Sequence, residues 1–384
     1  MTQNDTNLKK VYMFVNVDWF FFSHRSPIAK SAYLNNIEMS VYTDFTSDDA
    51  FDDHGDFDLI QSPISRTSKY FGSEIIELIK SYFLILKNKP DLIHAVTIRP
   101  IILLGIVARL TNTPFVGAIS GLGPAFNQVN LLQKLRLQFV LLAYKFIYSS
   151  KSAVVICQSE HDKNILLKLR VCSESKITLI LGSGVDLDKF KPEISIKGKK
   201  SILMASRLLL DKGVKEFCYA AKQFKSYGKS DVKFSLAGPI DELSPTSISE
   251  QEIRSLCKDC DVEYLGNRSD LNVLLASASL FILPSYYPEG VPKVLLEAAA
   301  CGTPVITTDH PGCRDAIENE KTGILVEPRN AKAIEIAISN LLDDPDLLTK
   351  MGKAGRKLAE DFFDENKVVE AHYKIYHQYV KNTS

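Results

Sequence analysis

Two acidic side chains in the second half of the sequence have a spacing that suits the binding of a sugar attached to a nucleotide. Glu289 follows the apolar run LFILPS in a loop, and Glu297 lies eight residues later in a stretch of helical character. At 1.5 Å per residue, this spacing corresponds to about 12 Å along a helix axis. Carboxylates accept hydrogen bonds from vicinal hydroxyl groups, so one could hold a sugar and the other a ribose. The alternative is an ordinary helix with two solvent-facing glutamates.

Two basic side chains complete this set. Arg207 and Lys212 follow the apolar run KSILMAS, at the expected carboxyl end of a strand. A guanidinium binds phosphate through a fork of N–H groups, and an ammonium acts as a compact charge, so the pair suits a diphosphate. Free N–H groups at the helix start near 290–294 would add to the positive potential, and Gly290 allows close backbone approach. A solvated basic loop is the alternative.

The elements that must position these side chains form a repeating strand–helix pattern. Strands that are apolar throughout, rather than alternating, are typical of parallel sheets covered on both faces. The pattern predicts the α/β class, with two doubly wound domains of about six strands each. The predicted strands are KVYMFVNV, EMSVYT, DLIHAV, PFVGAIS, AVVICQS and KITLILG in the first half, and KSILMAS, KFSLAG, VEYLG, LFILPS, PVITTD and GILVE in the second.

The domain boundary is predicted in the polar stretch DLDKFKPEISIKGKK, which shows no strong periodicity. We expect domains at 1–188 and 189–362, and a terminal segment at 363–384. The end of the chain has a helical pattern with a break around 362–364. Predicted helices earlier in the chain include SEIIELIKSYFLILKN, RPIILLGIVARL, LLQKLRLQFVLLAYKFIY, VKEFCYAAKQF and KVLLEAAAC.

Composition narrows the class of protein. The 384 residues carry a net charge of +0, which argues against a protein built around nucleic acid. No run reaches about 18 apolar residues and the start lacks a signal-peptide pattern, so we expect a cytoplasmic protein. Seven scattered cysteines agree with reduced thiols. Cys257 and Cys260 form a lone C-x-x-C, interpreted as a surface helix turn rather than a zinc or redox site.

Together these segments resemble retaining glycosyltransferase family 4, whose members have the GT-B architecture of two Rossmann-like domains facing across a cleft. The motif with the family's E-x7-E pattern is EGVPKVLLEAAACGTPVI, and SRLLLDKGV is the second main match. Supporting matches are LGSGVDLDKF, LAGP, VEYLG and TGILVEP. The resemblance covers essentially the whole chain and is strongest over 179–328.

The resemblance implies a nucleotide-sugar domain at 189–362, an acceptor-binding domain at 1–188 and a terminal helix that crosses back to the first domain. Glu289 would contact the donor sugar, Glu297 the ribose, and Arg207 and Lys212 the diphosphate. The remaining donor residues would be Gly290, Val291, Val294, Leu265 and Gly266. The family is metal-independent, so neither a metal nor another cofactor is expected. The acidic run at 48–58 is interpreted as solvated surface.

The first domain departs from many relatives because no glycine-rich loop follows its first strand. Its motifs NVDW, SHR and ISGLG resemble a bacterial capsule and O-antigen subgroup that acts on lipid-linked saccharides. His94, expected at the end of the strand DLIHAV, is a candidate catalytic residue, with a core histidine as the alternative. Arg99 is a further candidate for the acceptor's phosphate. The predicted acceptor residues are Asp18, His24, Arg25, Ser120, Gly121 and Gly123.

The stretch 131–151 combines a long apolar face with basic residues, which favours peripheral contact with an anionic membrane. A normal domain helix with snorkelling lysines is the alternative. We therefore expect an enzyme at the inner face of the cytoplasmic membrane.

The predicted activity is retaining, metal-independent hexosyl transfer from a UDP-sugar to a polyprenyl-diphosphate-linked saccharide. Arg207, Lys212 and helix N–H groups would stabilise the leaving diphosphate. No covalent nucleophile stands out, which favours a front-face mechanism. Two alternatives stay open: a nucleotide-sugar epimerase or hydrolase on the same fold, and a catalytically silent subunit of a polysaccharide-assembly complex.

Overall fold

The structure is a computed structural model that describes residues 8–46, 57–66, 72–122, 131–193, 200–229 and 231–380. The chain divides into two compact units, Met1–Ser183 with Asn366–Ser384, and Gly184–Glu365. These divisions fall close to the predicted boundaries after 188 and 362. The binding roles assigned to the two domains stay predictions.

Thirteen strands are described, and their apolar side chains form the cores of the two units. In chain order they are β1 Lys9–Phe14, β2 Ile37–Thr43, β3 Asp58–Gln61, β4 Leu92–Val96, β5 Phe115–Ile119, β6 Ala153–Cys157, β7 Ile177–Leu179, β8 Ser201–Ala205, β9 Lys233–Ala237, β10 Glu263–Tyr264, β11 Leu280–Leu283, β12 Val305–Thr308 and β13 Gly323–Val326.

The helices of the described residues alternate with these strands over most of the chain. They are α1 Asp18–His24, α2 Ser26–Lys30, α3 Ser73–Asn88, α4 Ile98–Thr111, α5 Leu131–Tyr148, α6 Glu160–Lys168, α7 Val214–Ser226, α8 Glu250–Asp259, α9 Leu271–Ser277, α10 Lys293–Ala300, α11 Pro311–Arg314, α12 Ala331–Leu342, α13 Pro345–Leu358 and α14 Glu365–Val380.

Each unit is built on one parallel sheet. The first has the order β3-β2-β1-β4-β5-β6-β7 and the second β10-β9-β8-β11-β12-β13. In both, the chain runs outward in one direction, returns to the middle and continues in the other. The strand order therefore reverses between β1 and β4 and between β8 and β11. In open α/β sheets, ligands bind beyond the carboxyl ends of the strands at such a switch point.

Local sequence accounts for these elements. Strands β4 and β5 are buried at every position, as expected for central parallel strands covered on both faces. Helix α8 begins with a capping box in which Ser249 and Glu252 satisfy each other's backbone N–H groups. Pro345 begins α13, where its missing N–H costs nothing. The predicted break near 362–364 lies where a π-helical turn over 359–363 ends before α14.

The first unit differs from the sequence-based expectations in two places. The segment after β1, expected as a loop, forms the short helices α1 and α2. Strand β3 begins at Asp58, within the stretch interpreted as an acidic surface loop. The part of that acidic run at 48–56 lies outside the described residues. A four-residue edge strand beside charged residues carries too little apolar periodicity to be recognised.

Two further expectations are wrong. His94 is the middle residue of β4 rather than its end, and its side chain has no exposed surface, so the structure favours the core-histidine alternative. Cys257 and Cys260 are both buried near the end of α8 rather than in a surface turn. All seven cysteines are free.

Helix α14 belongs to the first unit and is fixed to its sheet by buried polar groups. The Nδ1 atom of His94 in β4 lies 2.6 Å from the hydroxyl of Tyr376 on α14, and within the helix His372 Nδ1 lies 2.8 Å from the carbonyl oxygen of Val368. Both histidines are fully buried. Burial lowers the pKa of His94 well below its ordinary value, helped by the charges of His372 and Arg25. Burial, with a contribution from Arg25, lowers the pKa of His372 to about 3.

No helix among the described residues is long and apolar enough to cross a membrane.

These histidines should make the first unit sensitive to acid. Below the ordinary histidine pKa of about 6.5, the unfolded chain binds protons that the folded state excludes. The stabilisation from neutral His372 is therefore complete above about pH 6.5 and is lost as pH falls toward 3. Between pH 7 and pH 5, the free energy of unfolding of the wild type should therefore fall by about 2 kcal/mol more than that of His372→Asn.

Urea unfolding followed by the fluorescence of Trp19, the single tryptophan, measures the first unit. His377→Asn, on the same helix but only half-buried, is the matched control. Equal pH dependence in wild type and His372→Asn would contradict this account.

Candidate functional site

The loops after β8 and β11 meet at the switch point of the second sheet. Arg207 and Lys212 lie on the first loop, and Glu289 lies on the second. Three of the four residues singled out from the sequence therefore follow the two strands between which the order reverses. This is the position at which an α/β sheet binds its ligand.

An ion pair joins the two loops. The ammonium of Lys212 donates a hydrogen bond to Oε1 of Glu289. The Lys212 side chain is 7% exposed and that of Glu289 is 23% exposed. A charge so deeply buried needs a partner, because removing one member of such a pair leaves the other uncompensated. The pair therefore holds one positive and one negative group at the carboxyl edge of the second sheet.

Glycine backbone places Lys212 against the second loop. Lys212 ends the short 3-10 turn Leu210–Lys212, and Gly213 follows with φ of +82°. A Cβ atom at Gly213 would lie 2.2 Å from the carbonyl oxygen of Pro284. Only glycine fits both the left-handed backbone and this approach, so the turn can pack directly on the end of β11.

Arg207 is oriented by a carboxylate and an aromatic ring. Its Nη1 atom donates to Oδ2 of Asp241 at 2.8 Å. The ring of Tyr287 lies close to both cations, with its centroid 5.7 Å from the Arg207 guanidinium and 5.2 Å from the Lys212 ammonium. Both distances are within cation–π range. Burial alone would lower the pKa of Arg207, but the hydrogen bond that it donates to Asp241 and its electrostatic interactions with Tyr287 and Glu289 raise it.

Helix α11 packs against the turn that contains Glu289. A Cβ atom at Gly312 would lie 2.1 Å from the carbonyl oxygen of Gly290 and 2.6 Å from that of Glu289. The backbone of α11 therefore packs directly on the turn that presents the Glu289 carboxylate. Any larger residue at 312 must displace that turn.

Glu297 lies on α10 and is only 8% exposed. Burial raises the pKa of its carboxyl, while the charges of Lys293 and Lys189 lower it. Because α10 begins at Lys293, Glu289 lies outside the helix, so the helical spacing of about 12 Å does not apply to this pair.

The other predicted donor residues line the same strand ends. Gly290 and Val291 are buried, and Val294 is partly exposed in the first turn of α10. Leu265 and Gly266 follow β10, and the Gly266 carbonyl accepts a hydrogen bond from the Gly238 N–H at 2.8 Å. These positions follow β9, β10 and β11, whose carboxyl ends share one edge of the sheet.

In the first unit, the structure brings two predicted acceptor residues together. Arg25 Nη2 donates to the hydroxyl of Ser120 at 3.1 Å, and Nη1 donates to the carbonyl of His24 at 2.9 Å. Arg25 is fully buried, and this burial lowers its pKa to about 10 although the charge of Tyr376 raises it. The His24 ring stacks on Phe20 with 4.3 Å between centroids.

Asp18 and the glycines have other surroundings. The Asp18 carboxylate, 3% exposed, accepts hydrogen bonds from the Trp19 and Thr46 N–H groups and the Thr46 hydroxyl. Gly121 is partly exposed with φ of +121°. Gly123 lies outside the described residues. Asp18 therefore fastens the loop after β2, and its role toward an acceptor stays a prediction.

Sequence reasoning did not identify Asp241, Tyr287 and Gly312. Asp241 is 34 residues from its partner Arg207, and nothing in the spacing links them. Tyr287 lies two residues before Glu289, and this closeness in the sequence could have identified it as part of the site. Among the described residues, no cluster of His, Cys, Asp and Glu has the geometry of a metal site.

Comparison with known proteins agrees with this geometry. The model of the group 1 glycosyl transferases matches residues 186–358, and the glycosyl transferase 4-like model matches 10–159. The UDP-Gal:alpha-D-GlcNAc-diphosphoundecaprenol alpha-1,3-galactosyltransferase of Escherichia coli is 30% identical over 322 residues, which cover 79% of this chain and 80% of that enzyme. The chain belongs to the group 1 glycosyltransferases. The predicted resemblance is confirmed.

A second relative of this glycosyltransferase has a related name. The N,N'-diacetylbacillosaminyl-diphospho-undecaprenol alpha-1,3-N-acetylgalactosaminyltransferase of Campylobacter jejuni is 34% identical over 267 residues. The match covers 66% of this chain and 65% of that enzyme, slightly less than two thirds of its length.

Solved structures support the fold. The sucrose-phosphate synthase of Thermosynechococcus elongatus superposes with a TM-score of 0.78 at 21% identity, covering 98% of this chain and all of that one. Together with the two parallel sheets, this confirms the predicted GT-B fold class.

The contact between α11 and the Glu289 turn leads to a prediction. Gly312→Ala should displace Glu289 and lower the transfer rate of this glycosyltransferase about tenfold, or ~1.4 kcal/mol. Gly355→Ala, whose Cβ would meet neighbours no closer than 3.7 Å, is the matched control. Circular dichroism should show both variants folded. Full activity in folded Gly312→Ala would disprove the supporting role.

Proposed function

We propose that this glycosyltransferase transfers a hexosyl group, with retention, from a UDP-sugar to a saccharide linked to polyprenyl diphosphate. The observation that carries the proposal is the Lys212–Glu289 ion pair at the switch point of the second sheet, with Arg207 held beside it by Tyr287 and Asp241. This set offers two cations and one hydrogen-bonding carboxylate at the place where such a sheet binds its ligand.

The cations account for the leaving group. As the bond between the sugar and the diphosphate breaks, negative charge develops on the departing phosphate oxygen. Arg207 and Lys212 would stabilise that charge, and neither needs to move far because both are already oriented. A diphosphate that binds Lys212 would release the Glu289 carboxylate from its ion pair. Glu289 could then accept hydrogen bonds from hydroxyls of the donor sugar.

The proton has a route that needs no additional base. In the front-face mechanism, the acceptor hydroxyl attacks the anomeric carbon from the side on which the diphosphate leaves. Its proton passes to the departing phosphate oxygen, so one sugar–oxygen bond breaks and another forms on the same face. This accounts for retention without a covalent intermediate.

The nucleotide end is assigned to the strand ends beside this site. Glu297, with Gly290, Val291 and Val294, would hold the ribose and the phosphates, and Leu265 and Gly266 would lie near the base. UDP is supported by the name of the E. coli relative, whose donor is UDP-Gal. Since two cations would neutralise the diphosphate, the proposal includes no metal or other cofactor.

The acceptor is assigned to the first unit. The names of both relatives contain a saccharide linked to diphosphoundecaprenol. Arg25 and Ser120 meet beyond the carboxyl ends of β1 and β5, with His24 and Gly121 beside them in sequence. An arginine and a hydroxyl suit a phosphate oxygen. Such a pathway in bacterial capsule or O-antigen synthesis would place the enzyme at the inner face of the cytoplasmic membrane.

Helix α5 supports peripheral contact with that membrane. Its sequence contains Lys134, Arg136 and Lys145 and no acidic residue. Leu135, Phe139, Leu142 and Phe146 are exposed on the same helix. Cations together with exposed large apolar side chains suit an anionic bilayer surface.

The proposal predicts that Arg207→Ala and Glu289→Gln each lower kcat by at least tenfold, or about 1.4 kcal/mol of transition-state stabilisation. Initial rates with a UDP-sugar and a lipid-diphosphate saccharide measure this. The exposed ion pair of Arg254 and Glu250 offers matched controls, Arg254→Ala and Glu250→Gln, which should retain wild-type kcat. Near-normal turnover in both site variants would defeat the assignment.

A second experiment tests the donor, the stereochemistry and the metal independence. Mass spectrometry of products from a panel of UDP- and GDP-sugars should show transfer from a UDP-sugar only in the presence of acceptor. NMR should show the product with the donor's anomeric configuration, and EDTA should leave the rate unchanged. Inversion, loss of activity with EDTA, or rapid conversion of donor without acceptor would each contradict part of the proposal.

A further inference from the structure

A groove of about 800 Å³ lies between α3, α4 and α5 of the first unit. Nine of its twelve lining side chains are apolar, and three, Glu74, Arg99 and Arg136, are charged. The volume and the apolar lining are those of a ligand site rather than of a surface irregularity. We call this feature the helical groove.

The helical groove lies toward the edge of the sheet at which acceptor residues are found. Helices α3, α4 and α5 follow β3, β4 and β5, so each begins at the carboxyl edge of the parallel sheet. The lining residues come from the first half of α3, from 98–106 of α4 and from 135–140 of α5. Ser120, bonded to Arg25, follows β5 at the same edge. A molecule in the helical groove could therefore extend to the proposed acceptor site of the same unit.

Charge is concentrated at this end of the helical groove. Arg99 lies in the first turn of α4 and contacts Glu77 at 2.7 Å and Glu74 at 3.9 Å. Lys134 and Arg136 are exposed in the first turns of α5, which has no acidic residue. Since Arg99 is paired with two carboxylates, the positive charge near the edge end of the helical groove comes from Lys134 and Arg136. An apolar interior with these cations beside it is complementary to a hydrocarbon chain attached to an anionic group.

The apolar surface extends from the helical groove along two of its helices. Ile75 and Phe83 of α3 are each 63% exposed, and Phe139 of α5 is also 63% exposed. Exposed apolar side chains in such a group are unfavourable in water and mark a binding surface. A second copy of the chain is a poor occupant, because a two-fold contact would bring the cations of α5 against those of its partner.

We propose that the helical groove binds the hydrocarbon chain of the lipid-linked acceptor. The inference rests on the proposed function for the identity of the acceptor, and it assigns the chain to a defined site rather than to the bilayer alone. The apolar lining takes the part of the chain nearest the diphosphate, while Arg136 and Lys134 lie toward its anionic end. The enzyme would then recognise its acceptor through both the saccharide and the lipid.

The chain offers a matched test. Ile75 and Leu135 line the helical groove, whereas Ile76 of α3 and Leu110 of α4 do not. Their exposures are comparable, 63% and 60% against 57% and 61%, so all four should tolerate glutamine. The groove variant is Ile75→Gln with Leu135→Gln, and the control variant is Ile76→Gln with Leu110→Gln. The probe is a fluorescent short polyisoprenoid diphosphate in detergent-free buffer, measured by anisotropy, with propyl diphosphate as the comparison ligand.

The groove variant should weaken binding of the polyisoprenoid probe at least about tenfold and leave propyl diphosphate affinity unchanged. The control variant should bind both ligands like the wild type. Equal losses in the two variants would indicate general surface contact and overturn the proposal. An equal loss of affinity for propyl diphosphate in the groove variant would also overturn it. A change from dimer to monomer in the groove variant, measured by light scattering, would overturn it as well, because it would assign the helical groove to a second copy.

Transfer assays separate this proposal from the proposed function. If the wild-type enzyme binds the probe through the helical groove but transfers no sugar to any lipid-linked saccharide, that result would contradict the proposed function and leave the proposal for the helical groove supported. Efficient transfer with the same KM for long-chain and short-chain acceptors would support the proposed function and contradict the proposal that the helical groove binds the hydrocarbon chain.

Discussion

The Lys212–Glu289 ion pair is the interaction on which the architecture of the site depends. It joins the loops that leave β8 and β11, and its lysine is almost completely removed from water. A buried ammonium is tolerated only where its partner is fixed, so both loops must be held to a small range of positions. Tyr287 and Asp241 extend the same constraint to Arg207. The surrounding fold can be understood as the means of holding these charges in place.

Backbone packing, rather than side-chain packing, holds the two loops. At Gly213 and Gly312, an added Cβ would overlap carbonyl oxygens of the loop that contains Glu289. Two main-chain segments at such distances leave little room for movement, because neither has a rotamer that could relieve the contact. Charged groups oriented in this way lose little energy to reorganisation when charge develops on a leaving group, which is the condition for electrostatic catalysis.

The first unit uses buried polar groups for a different purpose. Arg25 is fully enclosed yet bonds to Ser120, and the two buried histidines lie near it between the sheet and α14. Burial, with a smaller contribution from the positive charge of Arg25, lowers the pKa of both histidines and keeps them neutral, so the attachment of the last helix depends on their uncharged form. The exposed apolar surface of α3 and α5 lies elsewhere on the same unit. The first unit thus has a small buried polar cluster within its apolar core and a separate apolar patch on its surface.

The sequence by itself determined the alternation of strands and helices and the family, because these depend on local periodicity and short motifs. Apolar runs predicted six strands in each half, and all twelve are present; β3 was missed because four residues beside a charged run carry little pattern. Tertiary structure decided the rest. His94 lies only two residues before the end of β4, yet this difference places its side chain in the core. The pairing of Lys212 with Glu289 and of Arg207 with Asp241 joins residues 77 and 34 positions apart. Such contacts depend on strand order and loop packing, which no local spacing encodes.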